Sequence, residues 1–288
     1  DTQMALAVGE AIVDTTPPYA PGNLGIELRR TFIDWYDDPQ NNRAPGVTCL
    51  TSIEGVIAGA AWRDATNISS KGCGANMRVM PVGLLAEDAA TRAGVAQFQA
   101  AYTHAHPTGL AAADLTAFVV HDLATGGTVD MLLQRTRAYA ESQRRVYHTD
   151  WLGDLSTRAF IFATPEDYIE HGWQECIGIV DRLDTAVANM DRQSDPCLAT
   201  GAGWIAEEAF GTALLCFLMY PDDPAAVIQR AAVSSGDSDS IACIAGAFAG
   251  AYRGIDAWDP TWRWRIEYKE RIQALADAII SRNETISA

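Results

Sequence analysis

The chain has 288 residues, 48% of them hydrophobic and 20% charged, with a formal net charge of −16. That length and apolar content suffice for a sizeable core, in one large domain or two smaller ones. A surface this acidic has no general affinity for nucleic acid or anionic lipid, which excludes both as partners.

In chain order the pattern reads helical nearly throughout. Thr2 is placed to cap "QMALAVGEAIV". Asn23 precedes "LGIELRRTFIDWY", where Leu24, Leu28, Phe32 and Trp35 recur at helical spacing. "EDAATRAGVAQFQAAY" and "AAADLTAFVVHDLAT" follow, separated by "THAHPTG", in which Pro107 and Gly109 predict a turn. "TVDMLLQRTRAYAESQRRV" continues with Val129, Leu132, Thr136 and Tyr139 on one stripe. "TRAFIFAT" is the best local strand, and it is short. The later helices are expected in "PEDYIEHGWQECIGIVDRLDTAVANM", "WIAEEAFGTALLCFLMY", "DPAAVIQRAAV", "SIACIAGAFAGAYRG" and "TWRWRIEYKERIQALADAIISR". The connections carry Gly, Pro, Asn and Ser, as turns require, and none reads as a flexible tether. The expectation is one compact all-α domain over residues 1–288.

No apolar run is long enough to span a bilayer, and "DTQMALAVGE" lacks the basic start of a signal peptide. Six cysteines are scattered without a Cys-X-X-Cys pair, so free thiols in a reducing cytoplasm are expected. The histidines do not pair with cysteines at zinc-ligand spacing.

Four stretches concentrate chemistry. In "SSGDSDSIACIAGAFAGAYRG", Asp237 and Asp239 alternate with serines, and Ser240 stands at the mouth of a small-residue helix. Asp or Ser there suits capping and the helix dipole. Two carboxylates two residues apart also repel, which a hard cation such as magnesium or manganese would relieve. Both readings stay open on the pattern alone. Gly246, Gly250 and Gly254 fall four apart, which lets another helix approach closely. Asp1 and Thr2 repeat the acid-before-helix theme. In "NISSKGCGANMRVMPVGLL", Ser69, Ser70, Gly72, Gly74 and Ala75 leave backbone N–H groups open, as a phosphate-cradling loop does. Lys71 adds a positive charge there, and Arg78 reads as a structural ion-pair partner. In "YTHAHPTG", His104 and His106 are either hydrogen-bonded within the fold or contact a ligand.

Taken in order, these stretches resemble the ADP-ribosylglycohydrolase family, which includes the dinitrogenase reductase-activating glycohydrolases and the ADP-ribosyl-arginine and ADP-ribosyl-serine hydrolases. "DTQMAL" looks like the tail of its Thr-Asp-Asp-Thr metal motif. "RAPGVTCL", "SSKGCGANMRVMPVGL" and "YTHAHP" resemble its blocks in the right order, and residues 201–254 resemble its C-terminal block. The resemblance implies an orthogonal all-α bundle with a binuclear magnesium or manganese site. It implies Asp1, Asp237, Asp239 and Ser240 as metal ligands, with Asp237 or Asp239 positioning the attacking water. It implies that Ser69, Ser70, Lys71, Gly72 and Gly74 wrap the diphosphate and ribose, that His104 meets the ligand, and that Trp204 lines the pocket. Residues near Tyr252 and Arg253 are expected at the pocket rim.

The implied reaction is metal-dependent hydrolysis of the bond between ADP-ribose and a modified arginine or serine, releasing ADP-ribose. The partner is an ADP-ribosylated protein or an ADP-ribose derivative, and the enzyme is expected to be a cytoplasmic monomer. Ser238 and Ser240 stand where the family usually has threonine, and both keep a hydroxyl. The family's preceding Thr and Asp, its glycine-rich helix start and a catalytic glutamate fall upstream of residue 1. The domain is therefore expected without that N-terminal segment. A crystallin-like or ADP-ribose-binding relative that has lost activity is the alternative.

Overall fold

The computed structural model describes residues 1–287, with side chains described through residue 284. Its first half runs through α1 (Thr2–Asp14), α2 (Pro21–Asp37), α3 (Val47–Ile57), the one-turn α4 (Trp62–Ala65) and α5 (Met80–Gly83), then α6 (Ala89–Ala101), α7 (Pro107–Ala124) and α8 (Leu132–Gln143). Its second half runs through α9 (Thr149–Leu152), α10 (Pro165–Ala188), α11 (Cys197–Thr200), α12 (Ala206–Met219), α13 (Pro224–Ala232), α14 (Ser238–Arg253), α15 (Pro260–Arg265) and α16 (Lys269–Ser287). Among the described residues the β contacts are two isolated bridges, Asn67 with His104 and Gly72 with Ile205. The all-α expectation is met.

The core is built around α7, which buries residues on every side from Pro107 to Leu123. A helix apolar all round has to sit inside the protein, and α5, α6, α8, α10, α12 and α14 pack about it. On α10, Gly172 presses against the Pro107 carbonyl, where a Cβ has no room. One polar knot crosses this core. Asp114 of α7 accepts from Tyr139 of α8 at 2.6 Å and from Gln97 of α6 at 2.9 Å. Burial pushes the Asp114 carboxyl up to about 6. Helix α14 buries Ile241, Ile244, Ala245, Phe248 and Ala249, the i, i+3, i+4, i+7, i+8 stripe of a core-facing helix. Each large member of that stripe contributes about 1.5–3 kcal/mol by leaving water.

Several local expectations are corrected. Helix α1 already includes Thr2, and Asp1 holds the N-cap position. Helix α2 starts at Pro21, whose fixed φ suits a first turn. Asn23 sits inside that turn and accepts from the Ala20 N–H at 2.9 Å. The same preference puts Pro107 at the start of α7, so Gly109 is helical and the turn ends at His106. "TRAFIFAT" forms no strand: Leu155–Arg158 is a 3-10 turn, and Phe160 and Ile161 lie exposed without strand partners. Of the three spaced glycines only Gly246 serves close packing, facing Ile228 of α13. Gly250 meets open space, and Gly254 ends α14 at φ +69°. All six cysteines are free, with Cys49, Cys176 and Cys216 buried. No helix among the described residues is long and apolar enough to cross a membrane.

Candidate active site

A cavity of about 810 Å³ opens where the starts of α1 and α14 meet the loops before α3, α5, α12 and α16. That volume suits a ligand of nucleotide-sugar size. Its wall brings together Asp1, Asp237, Asp239 and Ser240 with Gly72, Gly74, His104 and Trp204. Residues 236 positions apart in the sequence therefore share one space.

The acidic side sits on two helix starts. Asp1 and Asp237 occupy the N-cap positions of α1 and α14, yet neither side chain makes a cap hydrogen bond. A capping aspartate would spend an oxygen on the N–H of the first turn. Instead Asp1 Oδ2 is buried without a hydrogen-bond partner among the described residues. Asp237 Oδ2 accepts from the Cys73 thiol at 2.8 Å, and Cys73 Sγ lies 3.4 Å from Ser240 Oγ. Asp237 is held in place by its backbone N–H, which donates to the Ala202 carbonyl at 2.8 Å. Burial raises the Asp237 carboxyl above the ordinary range. The Cys73 hydrogen bond opposes that shift and the Asp239 carboxylate adds to it. Asp239 itself is exposed on the cavity wall.

His104 lines the floor of the cavity, and a buried hydrogen-bond chain backs it. Arg78 is fully buried, and among the described residues its guanidinium has no carboxylate partner, which corrects the ion-pair expectation. It donates from Nε to Gln99 Oε1 at 2.7 Å, and from Nη2 to the Gln99 carbonyl at 2.7 Å and to Thr103 Oγ1 at 2.9 Å. Its face covers the Phe32 ring at 4.5 Å, and burial pushes its pKa down to about 10. Thr103 Oγ1, which accepts from Arg78, also lies 2.8 Å from His104 Nδ1, and the ring's tautomer sets which of the two donates. Burial, reinforced by the Arg78 charge, pushes the His104 pKa down to about 3, so the ring is neutral. The Asn67–His104 bridge fixes the His104 backbone beside the residue 67–74 loop. A Cβ on Gly74 would stand 2.8 Å from His104 Cε1 and 3.1 Å from Cys49 Sγ, whereas one on Gly72 would meet nothing closer than 3.4 Å.

The rest of the serine–lysine stretch stands back from the cavity. Ser69 is exposed, and Ser70 Oγ pairs with Thr48 Oγ1 at 3.1 Å behind the wall. Lys71 points to the start of α12, where Nζ binds Glu207 at 2.7 Å and Glu175 of α10 at 2.9 Å. Burial lowers the Lys71 pKa, but the two carboxylates outweigh it and raise the value. With its charge matched there, Lys71 anchors the loop, aided by the Ala206 N–H donating to the Lys71 carbonyl at 2.9 Å. Trp204 lies 64% exposed at the rim. Tyr252 and Arg253 end α14, about 20 Å along the helix from Asp237. There Tyr252 meets Phe217 and Arg253 pairs with Asp222. They are not rim residues.

Sequence reasoning missed Cys73, Arg43, Glu267 and Tyr268, all on the cavity wall. Cys73 and Arg43 lay within stretches already singled out. Glu267 and Tyr268 were expected inside one helix, "TWRWRIEYKERIQALADAIISR", and instead form the break between α15 and α16. A second, shallower cavity of about 430 Å³ lies between Tyr19, Asp88 and Trp151, away from these groups.

Carboxylate and hydroxyl oxygens at Asp1, Asp237, Asp239 and Ser240, one of them buried without a hydrogen-bond partner among the described residues, have the donor chemistry of a magnesium or manganese site. Among the described residues, no three His, Cys, Asp or Glu side chains are already gathered at metal-holding spacing.

A sequence profile of the ADP-ribosylglycohydrolase family matches residues 1–287. The chain is 24% identical over 285 residues to an uncharacterized protein of Archaeoglobus fulgidus, covering 96% of this chain and 77% of that one. It is 30% identical over 226 residues to human ADP-ribosylhydrolase ARH3, covering 73% of this chain and 58% of the human protein. A solved ADP-ribosylglycohydrolase-related protein complex shares the fold, with a TM-score of 0.64 at 20% identity over 96% of this chain and 79% of that one. The chain belongs to the ADP-ribosylglycohydrolase family. Its coarse class is accordingly that of the ADP-ribosyl hydrolases, with ADP-ribosylated compounds as the kind of substrate.

Proposed function

We propose that this protein hydrolyses the glycosidic bond joining ADP-ribose to a modified arginine or serine side chain, with magnesium or manganese held by Asp1, Asp237, Asp239 and Ser240. The observation that carries the reading is the meeting of carboxylates not used for helix capping with a neutral histidine and a glycine loop in one cavity. In this reading a bound divalent cation supplies charge stabilisation near the ribose. The chain's own residues do the rest. Neutral His104, in the tautomer whose Nδ1 accepts from Thr103, offers Nε2–H to a ligand oxygen. Gly72 and Gly74 let the backbone approach the diphosphate, and Trp204 covers an apolar face. The Asp237–Asp239 pair orients a water towards the anomeric carbon and takes its proton. The water oxygen forms the new bond as the bond to the side-chain nitrogen or oxygen breaks, and the leaving side chain takes up a proton. The substrate is free in solution or on a protein surface, and the protein acts as a monomer in the cytoplasm.

The test is ADP-ribose release from arginine-modified and serine-modified peptides, with magnesium, with manganese and with a chelator. Release from one peptide that is lost with the chelator and in Asp237→Ala is expected. ADP-ribose binding without release from either peptide would overturn hydrolysis and leave a binding relative.

A further inference from the structure

Among the described residues lining the main cavity, Arg43 is the only lysine or arginine, against the carboxylates of Asp1, Asp237, Asp239 and Glu267. Its guanidinium is not turned to the interior. It grips Glu267 across the mouth, Nη1 to Oε2 at 2.6 Å and Nη2 to Oε1 at 3.1 Å. The pair joins the loop before α3 to the link before α16. Next to it, Gln3 Nε2 donates to the Tyr268 hydroxyl at 3.0 Å, and that hydroxyl donates to Gln40 Oε1 at 3.1 Å.

Two features mark this clasp as one that opens. Both charged side chains are more than half exposed, 55% and 63%, and exposed pairs are weakly held. The only two non-glycine residues with positive φ among the described residues flank it: Ala44 at +51° follows Arg43, and Tyr268 at +56° follows Glu267. An L-residue pays for that backbone shape, so strain is concentrated on both sides of one ion pair at the mouth of one cavity.

We propose that Arg43 is the side chain that selects diphosphate-bearing ligands, and that Glu267 occupies it as an internal competitor until such a ligand enters. An Arg–carboxylate fork has the geometry of an Arg–phosphate fork, so a diphosphate replaces Glu267 without rebuilding the site. Lys71, the cation the sequence offers for this task, is already matched by Glu175 and Glu207. The inference deepens the proposed function and rests on it.

The experiment is calorimetric titration of the whole protein with ADP-ribose and, separately, with adenosine, which lacks the diphosphate. Arg43→Gln is expected to weaken ADP-ribose about tenfold and leave adenosine unchanged. Arg43→Lys is expected to recover part of the loss. Glu267→Gln is expected to tighten ADP-ribose about threefold. Equal ADP-ribose affinity in Arg43→Gln and the parent protein would overturn the proposal while leaving the functional reading intact. Equal weakening of both ligands would also overturn it, because that marks a loss of shape. No tightening in Glu267→Gln would overturn the competitor role. A parent protein that binds neither ligand would overturn this proposal and the functional reading together.

Discussion

The floor and the mouth of the cavity are built on opposite terms. At and behind the floor, His104, Thr103, Gln99 and Arg78 are buried and joined by short hydrogen bonds. At the mouth, Arg43 and Glu267 are exposed, lie in loops and stand beside two left-handed residues. A buried polar chain is costly to disturb because each freed group loses its partner away from water. An exposed pair beside strained backbone gives way readily. The contrast teaches which part of the site is preformed and which part adapts.

Removing the arginine is the hardest blow to the floor. Arg78→Met should cost roughly 4 kcal/mol, because the Gln99 amide and carbonyl and Thr103 all lose a charged donor. Urea unfolding measures it, and a cost under about 1 kcal/mol would mean that the network is not structural.

A second test separates buried charge from buried polarity in the core beside the floor. Asp114 has a folded value of about 6, above its ordinary 3.8. Its contribution to stability is therefore present below about 3.8 and lost as pH rises through about 6. His104, depressed to about 3, runs the other way: its contribution is present above about 6.5 and lost as pH falls. A single pH curve mixes the two, so the difference between parent and Asp114→Asn is the quantity to measure. Between pH 4 and pH 7 that difference should move by roughly 2 kcal/mol in favour of the variant. A flat difference would show that Asp114 is ionised at little cost.

Three smaller substitutions sharpen the contrast. Gly74→Ala should cost about 2 kcal/mol and weaken ADP-ribose, since its Cβ collides with His104, while Gly72→Ala should be nearly neutral. Equal effects in thermal melts and titrations would remove the reason for a glycine at residue 74. At the mouth, Ala44→Gly should stabilise the protein by up to about 1 kcal/mol by relieving positive φ, and destabilisation would contradict the strain.

The sequence displayed most of this fold, because the apolar spacing in "LGIELRRTFIDWY" and "SIACIAGAFAGAYRG" is the same stripe that the structure buries. Proline explains two boundary errors: Pro21 and Pro107 open helices that Asn23 and the "HPTG" turn signal placed later. For "TRAFIFAT", β propensity was local and no partner strand exists among the described residues. At the site, Asp1, Asp237, Asp239 and His104 were singled out through the family resemblance, and all four line one cavity. The place of Lys71 was not legible, because its partners Glu175 and Glu207 lie more than a hundred residues away. The Arg43–Glu267 clasp joins residues 224 apart, a separation that no local pattern records.

The most direct measurement is hydrogen–deuterium exchange of the intact protein with and without ADP-ribose. The account predicts slower exchange in the loop around Arg43, the Gly72–Arg78 stretch, the start of α14 and the Glu267–Tyr268 link, with no change around Tyr147–Trp151 at the second cavity. Protection confined to that second cavity, or none anywhere at saturating ligand, would contradict it.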